Sequence, residues 1–109
     1  MGSISLEKLY DLYRDTLSKC GLYLLNEDNE TVEYNLFEEF DIGVVSFLHE
    51  ENLKKLLDAG FISSYEMENG LQLRKMVSDL QNKNEWNIKS FRVSGIWMKL
   101  LELSDKLYH

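Results

Sequence analysis

Apolar residues recur at intervals of three and four along most of this sequence, which is the period of an α-helix and not of a β-strand. The first such segment predicts a helix over residues 5–20. Ser5 can cap its start, with Ser3 as the competing cap, and Gly21 can end it in the left-handed conformation. The apolar face of this helix is formed by Leu6, Leu9, Tyr10, Tyr13, Leu17 and Cys20.

Four more segments show helical spacing together with start or stop signals. Asn35 and Glu38 stand in the order of a capping box, as do Ser63 and Glu66. Gly60 can end the helix that precedes Ser63. The four predicted helices cover residues 35–48, 50–59, 63–81 and 95–108, and the apolar stripe of the first is Leu36, Phe37, Phe40, Val44, Val45 and Leu48.

We therefore predict an all-α fold: a single helical domain over residues 1–109, built as a compact bundle of about five helices. Residues 22–34 are the exception, because two short apolar segments there flank a charged, Asn-rich loop. The two segments could pair as a small hairpin, or they could be a helix end and an extended approach to the next helix. The sequence favours neither interpretation.

The charge of the chain is unevenly distributed. The 109 residues have a formal net charge of −7, and residues 20–53 contain nine acidic residues and no Lys or Arg. Residues 1–19 are balanced, and residues 54–109 contain nine basic and seven acidic residues. The acidic segment repels nucleic acid and attracts a cationic protein. The alternative is a solvated face that only keeps the protein soluble.

Residues that could carry catalysis or hold a metal are few. Cys20 is the only cysteine, and His49 lacks the second histidine, four residues further on, that a zinc-protease helix requires. The acids that follow Asp28 suggest a calcium loop, but Glu33 occupies the position of its essential glycine. We therefore expect no enzymatic activity, no metal and no cofactor.

The sequence also bears on the compartment. No apolar stretch approaches the roughly 18–20 residues of a membrane span, and the first residues lack the basic and apolar regions of a secretory signal. A lone cysteine fits a reducing compartment. We expect a cytoplasmic protein that does not bind a membrane.

The same properties indicate a surface for a protein partner. The carboxylates of the acidic segment can attract that partner, and Trp86, in a polar connection, can anchor it. Trp97 lies on an apolar stripe and is expected in the core. The candidate partner-binding residues are Glu27, Asp28, Glu30, Glu33, Tyr34, Glu38, Glu39, Asp41, Glu50, Glu51 and Trp86.

The second half of the chain contains an ordered set of residues that points to a family. This set is Asn52-Leu53-Lys-Lys-Leu56-Leu57-Asp-Ala-Gly60-Phe61-Ile62-Ser63, then Leu73-Arg74, Trp86, Arg92, and finally Trp97-x-x-Leu100-x-x-Leu103-Ser104-Asp105-x-Leu107. Over about residues 47–107 the chain resembles the small helical immunity proteins of bacterial contact-dependent growth inhibition and related polymorphic-toxin systems. It departs from the expected form at residues 94–96, which are less polar and contain no proline.

The resemblance implies a protein that binds and neutralises a cognate toxin, often a nuclease, inside the cell that makes it. It also implies structural roles for the matched residues: Arg92 would pair with Glu102 or Asp105, and Leu73 and Trp97 would lie in the core. The acidic segment, mostly outside the match, has the charge needed to cover a cationic nuclease site. The alternative function is a helical adaptor or regulatory subunit that binds another cationic protein.

Overall fold

The computed structural model describes residues 4–109, and within that range the chain is helical without a β-strand, so the all-α prediction is confirmed. None of the helices in this range is long and apolar enough to cross a membrane. A 3₁₀ helix, Leu22–Asn26, lies between the first two helices. The six helices of the described range are α1 (Leu6–Ser18), α2 (residues 29–46), α3 (Glu50–Asp58), α4 (Ser64–Asn82), α5 (Ile88–Val93) and α6 (Trp97–Tyr108).

Several of the start and stop signals act as the sequence predicts. Ser5 caps α1, because its side-chain oxygen accepts a hydrogen bond from the backbone N–H three residues on. Ser3, the competing cap, lies outside the described residues. Ser63 and Glu66 form the predicted capping box at the start of α4. Gly60, after α3, has a φ of 83°, which is the predicted left-handed conformation.

The hairpin and the extended approach predicted for residues 22–34 are wrong. Both apolar segments are helical, since the first forms the 3₁₀ helix and the second lies within α2. The helix predicted to start at Asn35 starts earlier, because Asp28 caps it by accepting the backbone N–H of Thr31 at 2.8 Å. Neither a hairpin nor an extended approach therefore forms.

The winding of α2 changes along its length, from α-helical at Asn29–Val32 to π-helical at Glu33–Phe40 and back to α-helical at Asp41–Ser46. The spacing of its buried residues explains the change. Those residues are four apart, and on an α-helix of 3.6 residues per turn each such step rotates the stripe by about 40°. A π turn holds more than four residues, so it rotates the stripe back. One face thus stays against the core: Val32, Leu36, Phe40 and Val44.

Helix α2 packs closely against α1 at Gly43. A Cβ at this position would lie 2.9 Å from the Cβ of Thr16 and closer still to both of its γ atoms. Thr16 is itself buried, and its hydroxyl donates to the carbonyl of Leu12 at 2.8 Å. A glycine within a helix lowers the intrinsic helix propensity, but here it allows the two backbones to pack together.

Helix α6 packs against α1 and α4 and also holds the chain that leaves α1. The Ser104 hydroxyl donates to the carbonyl of Leu17 at 3.1 Å, and the Asp105 carboxylate accepts the backbone N–H of Leu22 at 2.9 Å. Gly21 is not the predicted left-handed helix end. Its φ of 174° is extended, and a Cβ there would collide with the Asp105 carboxylate. The glycine makes room for α6.

The expected pairing of Arg92 with Glu102 or Asp105 does not form. Arg92 donates instead to the side-chain oxygen of Asn29 at 2.8 Å and to the carbonyl of Glu27. These bonds tie the end of α5 to the start of α2. The sequence did not predict α5, because six residues are too few to display a helical period.

Aromatic side chains form a cluster where α2 meets the connection before α5 and the start of α6. Trp97 is 1% exposed, stacks on Trp86 with ring centroids 5.1 Å apart, and donates its indole N–H to the Ser90 hydroxyl at 3.0 Å. Phe37 meets the two indoles edge-on, at 5.4 and 5.7 Å. The Trp86 indole N–H is buried without an acceptor among residues 4–109. The core positions expected for Trp97 and Leu73 are confirmed.

We predict that Gly43→Ala destabilises the protein by about 1–3 kcal/mol, because the added methyl group overpacks the contact with Thr16. Glycine to alanine in an unobstructed helix stabilises a protein by about 0.5–1 kcal/mol, so the sign of the change in unfolding free energy tests the close contact. Urea denaturation measures the free energy of unfolding. Gly95→Ala is the control, because a Cβ there meets nothing within 4 Å. If Gly43→Ala stabilises the protein, the close contact is not a constraint.

We also predict that Trp97→Phe costs about 1–3 kcal/mol more stability than Trp86→Phe. Trp97 loses the hydrogen bond to Ser90, whereas the change at Trp86 removes a buried donor that has no acceptor in the described chain. The measurement is again the free energy of unfolding in urea. Equal losses, or a larger loss at Trp86, would contradict this account of the cluster.

Candidate partner-binding surface

The side of α2 that faces away from the core carries both acidic and apolar residues. Tyr34 and Ile42 are 54% and 62% exposed, and they lie two positions along the chain from buried residues. Two residues turn a helix by about 200°, so they point away from the core. Val45, expected in the apolar stripe, is 64% exposed. We define the outer face of α2 as the exposed residues Glu30, Glu33, Tyr34, Glu38, Ile42 and Val45.

The structure brings together some of the predicted partner-binding residues and separates others. Four of them lie on the outer face. Glu27 and Asp28 are exposed just before α2, and Glu50 and Glu51 are exposed on a separate helix, at the start of α3. His49 caps α3, because its Nδ1 accepts the backbone N–H of Glu51 at 3.2 Å. That bond gives the histidine a structural role.

Two of the predicted residues are engaged within the chain. Glu39 is half-buried and accepts a hydrogen bond from the Tyr34 hydroxyl at 3.3 Å. The negative charge of Glu39 raises the pKa of Tyr34 above its ordinary value. Asp41 is half-buried and accepts from the side-chain amide of Gln81 at 3.2 Å. These two carboxylates offer less to a partner than the exposed ones.

The carboxylates of the acidic segment are not neutralised by ion pairs within the described chain. Over residues 4–109, the only ion pair joins Lys54 and Asp58 at 3.8 Å, and both side chains are exposed. The hydrogen bond from Thr31 lowers the pKa of Asp28, with a smaller contribution from the positive charge of Arg92. The outer face therefore presents its negative charge to solvent, where it can attract a cationic partner.

A groove of 480 Å³ borders the outer face, between the π-helical segment of α2 and the connection that leads to α5. Trp86 takes part in it, although this residue is half-buried and packs in the aromatic cluster. Contact between Trp86 and a partner stays a prediction. Apolar walls with carboxylates at their side can hold a positively charged group. The groove is lined by Glu33, Phe37, Glu38, Trp86, Asn87 and Ile88.

Sequence reasoning missed this groove and the exposed apolar residues of α2. The available signal was the interval of exactly four between the apolar residues from Val32 to Val44, which on a regular α-helix would rotate the stripe by about 40° at each step. Reading that interval as π winding would have placed Val45 outside the core. The contribution of Trp86 to the groove could not be found this way, because it depends on contacts between distant segments.

The residues that carry the resemblance to immunity proteins have structural roles in this fold. Leu73 and Trp97 are buried, Arg92 holds the start of α2, and Ser104 and Asp105 hold the chain that leaves α1. Trp86 is the member of this set that also lines the groove, and the other candidate residues of the groove and of the outer face lie outside the set. Comparison of the chain with protein-family models, with curated proteins and with solved structures finds no match.

Proposed function

We propose that this chain is an immunity protein, which binds a cognate bacterial toxin in the cytoplasm and neutralises it through the outer face of α2. The observation that carries the proposal is that the charge of the acidic segment is not neutralised by ion pairs within the described chain. Its nine acidic residues form no ion pair within residues 4–109, and no Lys or Arg interrupts them in the sequence. The resemblance of residues 47–107 to immunity proteins supports a bacterial toxin as the kind of partner.

Electrostatics makes a nuclease toxin a suitable partner for this surface. A nuclease is cationic where it holds phosphate groups, and an anionic protein is steered onto such a site by long-range attraction. Once bound, it covers the residues that would otherwise contact nucleic acid. Neutralisation then requires that the complex dissociates slowly, so that little free toxin is present to meet its substrate.

The apolar residues of the outer face supply the second part of the interaction. Tyr34, Ile42 and Val45 are more than half exposed, at 54%, 62% and 64%. Burial of such side chains stabilises a complex, whereas exposed charges mainly set its rate of formation and its specificity. A surface with both properties fits a partner that must be captured quickly and held.

The direct test is co-expression of this chain with the product of the gene immediately upstream of its own. We expect that product to stop bacterial growth when expressed alone, and growth to be restored when this chain is present and co-purifies with it. A product that is harmless, or that stays toxic, would show the proposal to be wrong. Co-purification with a harmless cationic protein would instead favour the adaptor function.

We predict that reversing the charge of four exposed acids slows association with the toxin. Substitution of Glu27, Glu30, Glu33 and Glu38 by Lys should reduce the association rate constant by about tenfold or more at low ionic strength. The difference should nearly vanish in about 1 M salt, where the screening length is about 3 Å. Stopped-flow mixing measures both rates.

The matched control reverses four exposed acids that lie outside the acidic segment: Glu7, Asp11, Glu68 and Glu102. It changes the net charge by the same amount but leaves the outer face intact. We expect its association rate constant to change by less than about threefold. Equal slowing by both variants would mean that net charge alone matters, and unchanged kinetics in the first would remove the acidic segment from the interface.

A further inference from the structure

The groove beside the outer face combines two kinds of wall. Phe37, Trp86 and Ile88 provide apolar surface, and Glu33 and Glu38 provide carboxylates. Both glutamates are exposed, and neither forms an ion pair within the described chain. At 480 Å³, the groove is large enough to admit a long side chain from another protein.

The π winding of α2 is what places both carboxylates beside the same groove. Glu38 follows Glu33 by five positions, and on an α-helix that interval would set the two residues about 140° apart. In a π-helix the hydrogen bond itself spans five residues, so such residues stand one above the other. Phe37 then lies next to both. π-Helical turns are rare and frequent at functional sites, which is consistent with a binding role here.

Within residues 4–109, the lining of this groove contains no Lys, Arg or His. The nearby Arg92 is engaged elsewhere, since it donates to Asn29 and to the carbonyl of Glu27 at the start of α2. Asn87 also lines the groove, but its side-chain oxygen accepts the backbone N–H of Ser90 at 2.8 Å and so caps α5. Lys89 directly follows the groove residue Ile88, but it forms no ion pair with either carboxylate. Both carboxylates are thus unpaired among the described residues and can pair with a group from outside.

We propose that this groove receives an arginine side chain of the bound protein, an inference that rests on the proposed function and makes its partner more specific. Arginine fits both walls. Its planar guanidinium has five N–H donors and can bond two carboxylates at once, and it is weakly hydrated and packs on aromatic rings. Lysine presents a compact, strongly hydrated ammonium group, which loses more hydration free energy than a guanidinium when it leaves water.

The test uses small probes and the intact chain, so it does not need the toxin. N-acetyl-arginine amide, N-acetyl-lysine amide and neutral N-acetyl-citrulline amide are titrated separately, with amide and indole signals followed by ¹H–¹⁵N NMR. We expect saturable shifts at Phe37, Trp86 and Ile88 with the arginine probe, at a millimolar Kd. Binding should be about tenfold weaker with the lysine probe and undetectable with citrulline.

Variants locate the binding. Glu33→Gln with Glu38→Gln should abolish the shifts. Glu7→Gln with Glu68→Gln, which removes the same charge from exposed positions outside the acidic segment, should leave the Kd within about twofold. Equal binding of arginine and citrulline by the native chain would overturn the proposal without any variant. Equal binding of arginine and lysine would overturn the choice of guanidinium, and equal loss in both variants would overturn the site.

The outcome separates this inference from the proposed function. If the toxin is neutralised equally well by the Glu33→Gln, Glu38→Gln variant and the probe does not bind, the immunity function stands and the groove proposal fails. If the probe binds as expected but co-expression gives no protection, the groove is a cation site and the immunity function fails.

Discussion

The contact between α1 and α2 at Gly43 and Thr16 sets how closely α2 can lie against the core. It brings the two backbones closer than a side chain at position 43 would permit, and it turns this side of α2 toward α1. The π-helical segment then keeps the buried stripe from Val32 to Val44 facing the core over three successive intervals of four. Without that winding the stripe would drift, and residues such as Tyr34 and Glu38 would turn toward their neighbours.

The remaining helices act mainly as supports for this arrangement. Arg92 joins α5 to the start of α2, and the connection before α5 brings Trp86 against Trp97 and the π-helical segment. Ser104 and Asp105 of α6 satisfy backbone groups where the chain leaves α1. These residues of the second half of the chain therefore belong to the scaffold, and the outer face of α2 lies in the first half.

The sequence predicted those helix starts and ends that depend on interactions between neighbouring residues. The caps at Ser5 and Ser63 and the stop at Gly60 involve residues within a few positions of one another, and they are confirmed. One local signal failed, because the helix predicted to start at Asn35 starts after the cap at Asp28 instead. Another error concerns a long-range contact: Gly21 lies against Asp105, whose carboxylate accepts the N–H of Leu22, 83 residues away in the sequence. For the candidate site, the sequence gives the concentration of charge and the exposed Tyr34. The groove depends on winding and on Trp86, which no local pattern specifies.

The alternation along α2 separates stability from recognition. Buried positions 32, 36, 40 and 44 interleave with outward positions 30, 34, 38 and 42, and each set occupies its own side of one helix. The outward set is therefore a replaceable element, whose side chains can be exchanged without reworking the interior. A designer who wished to redirect this protein to a different target would vary the residues at those four outward positions and leave the scaffold unchanged.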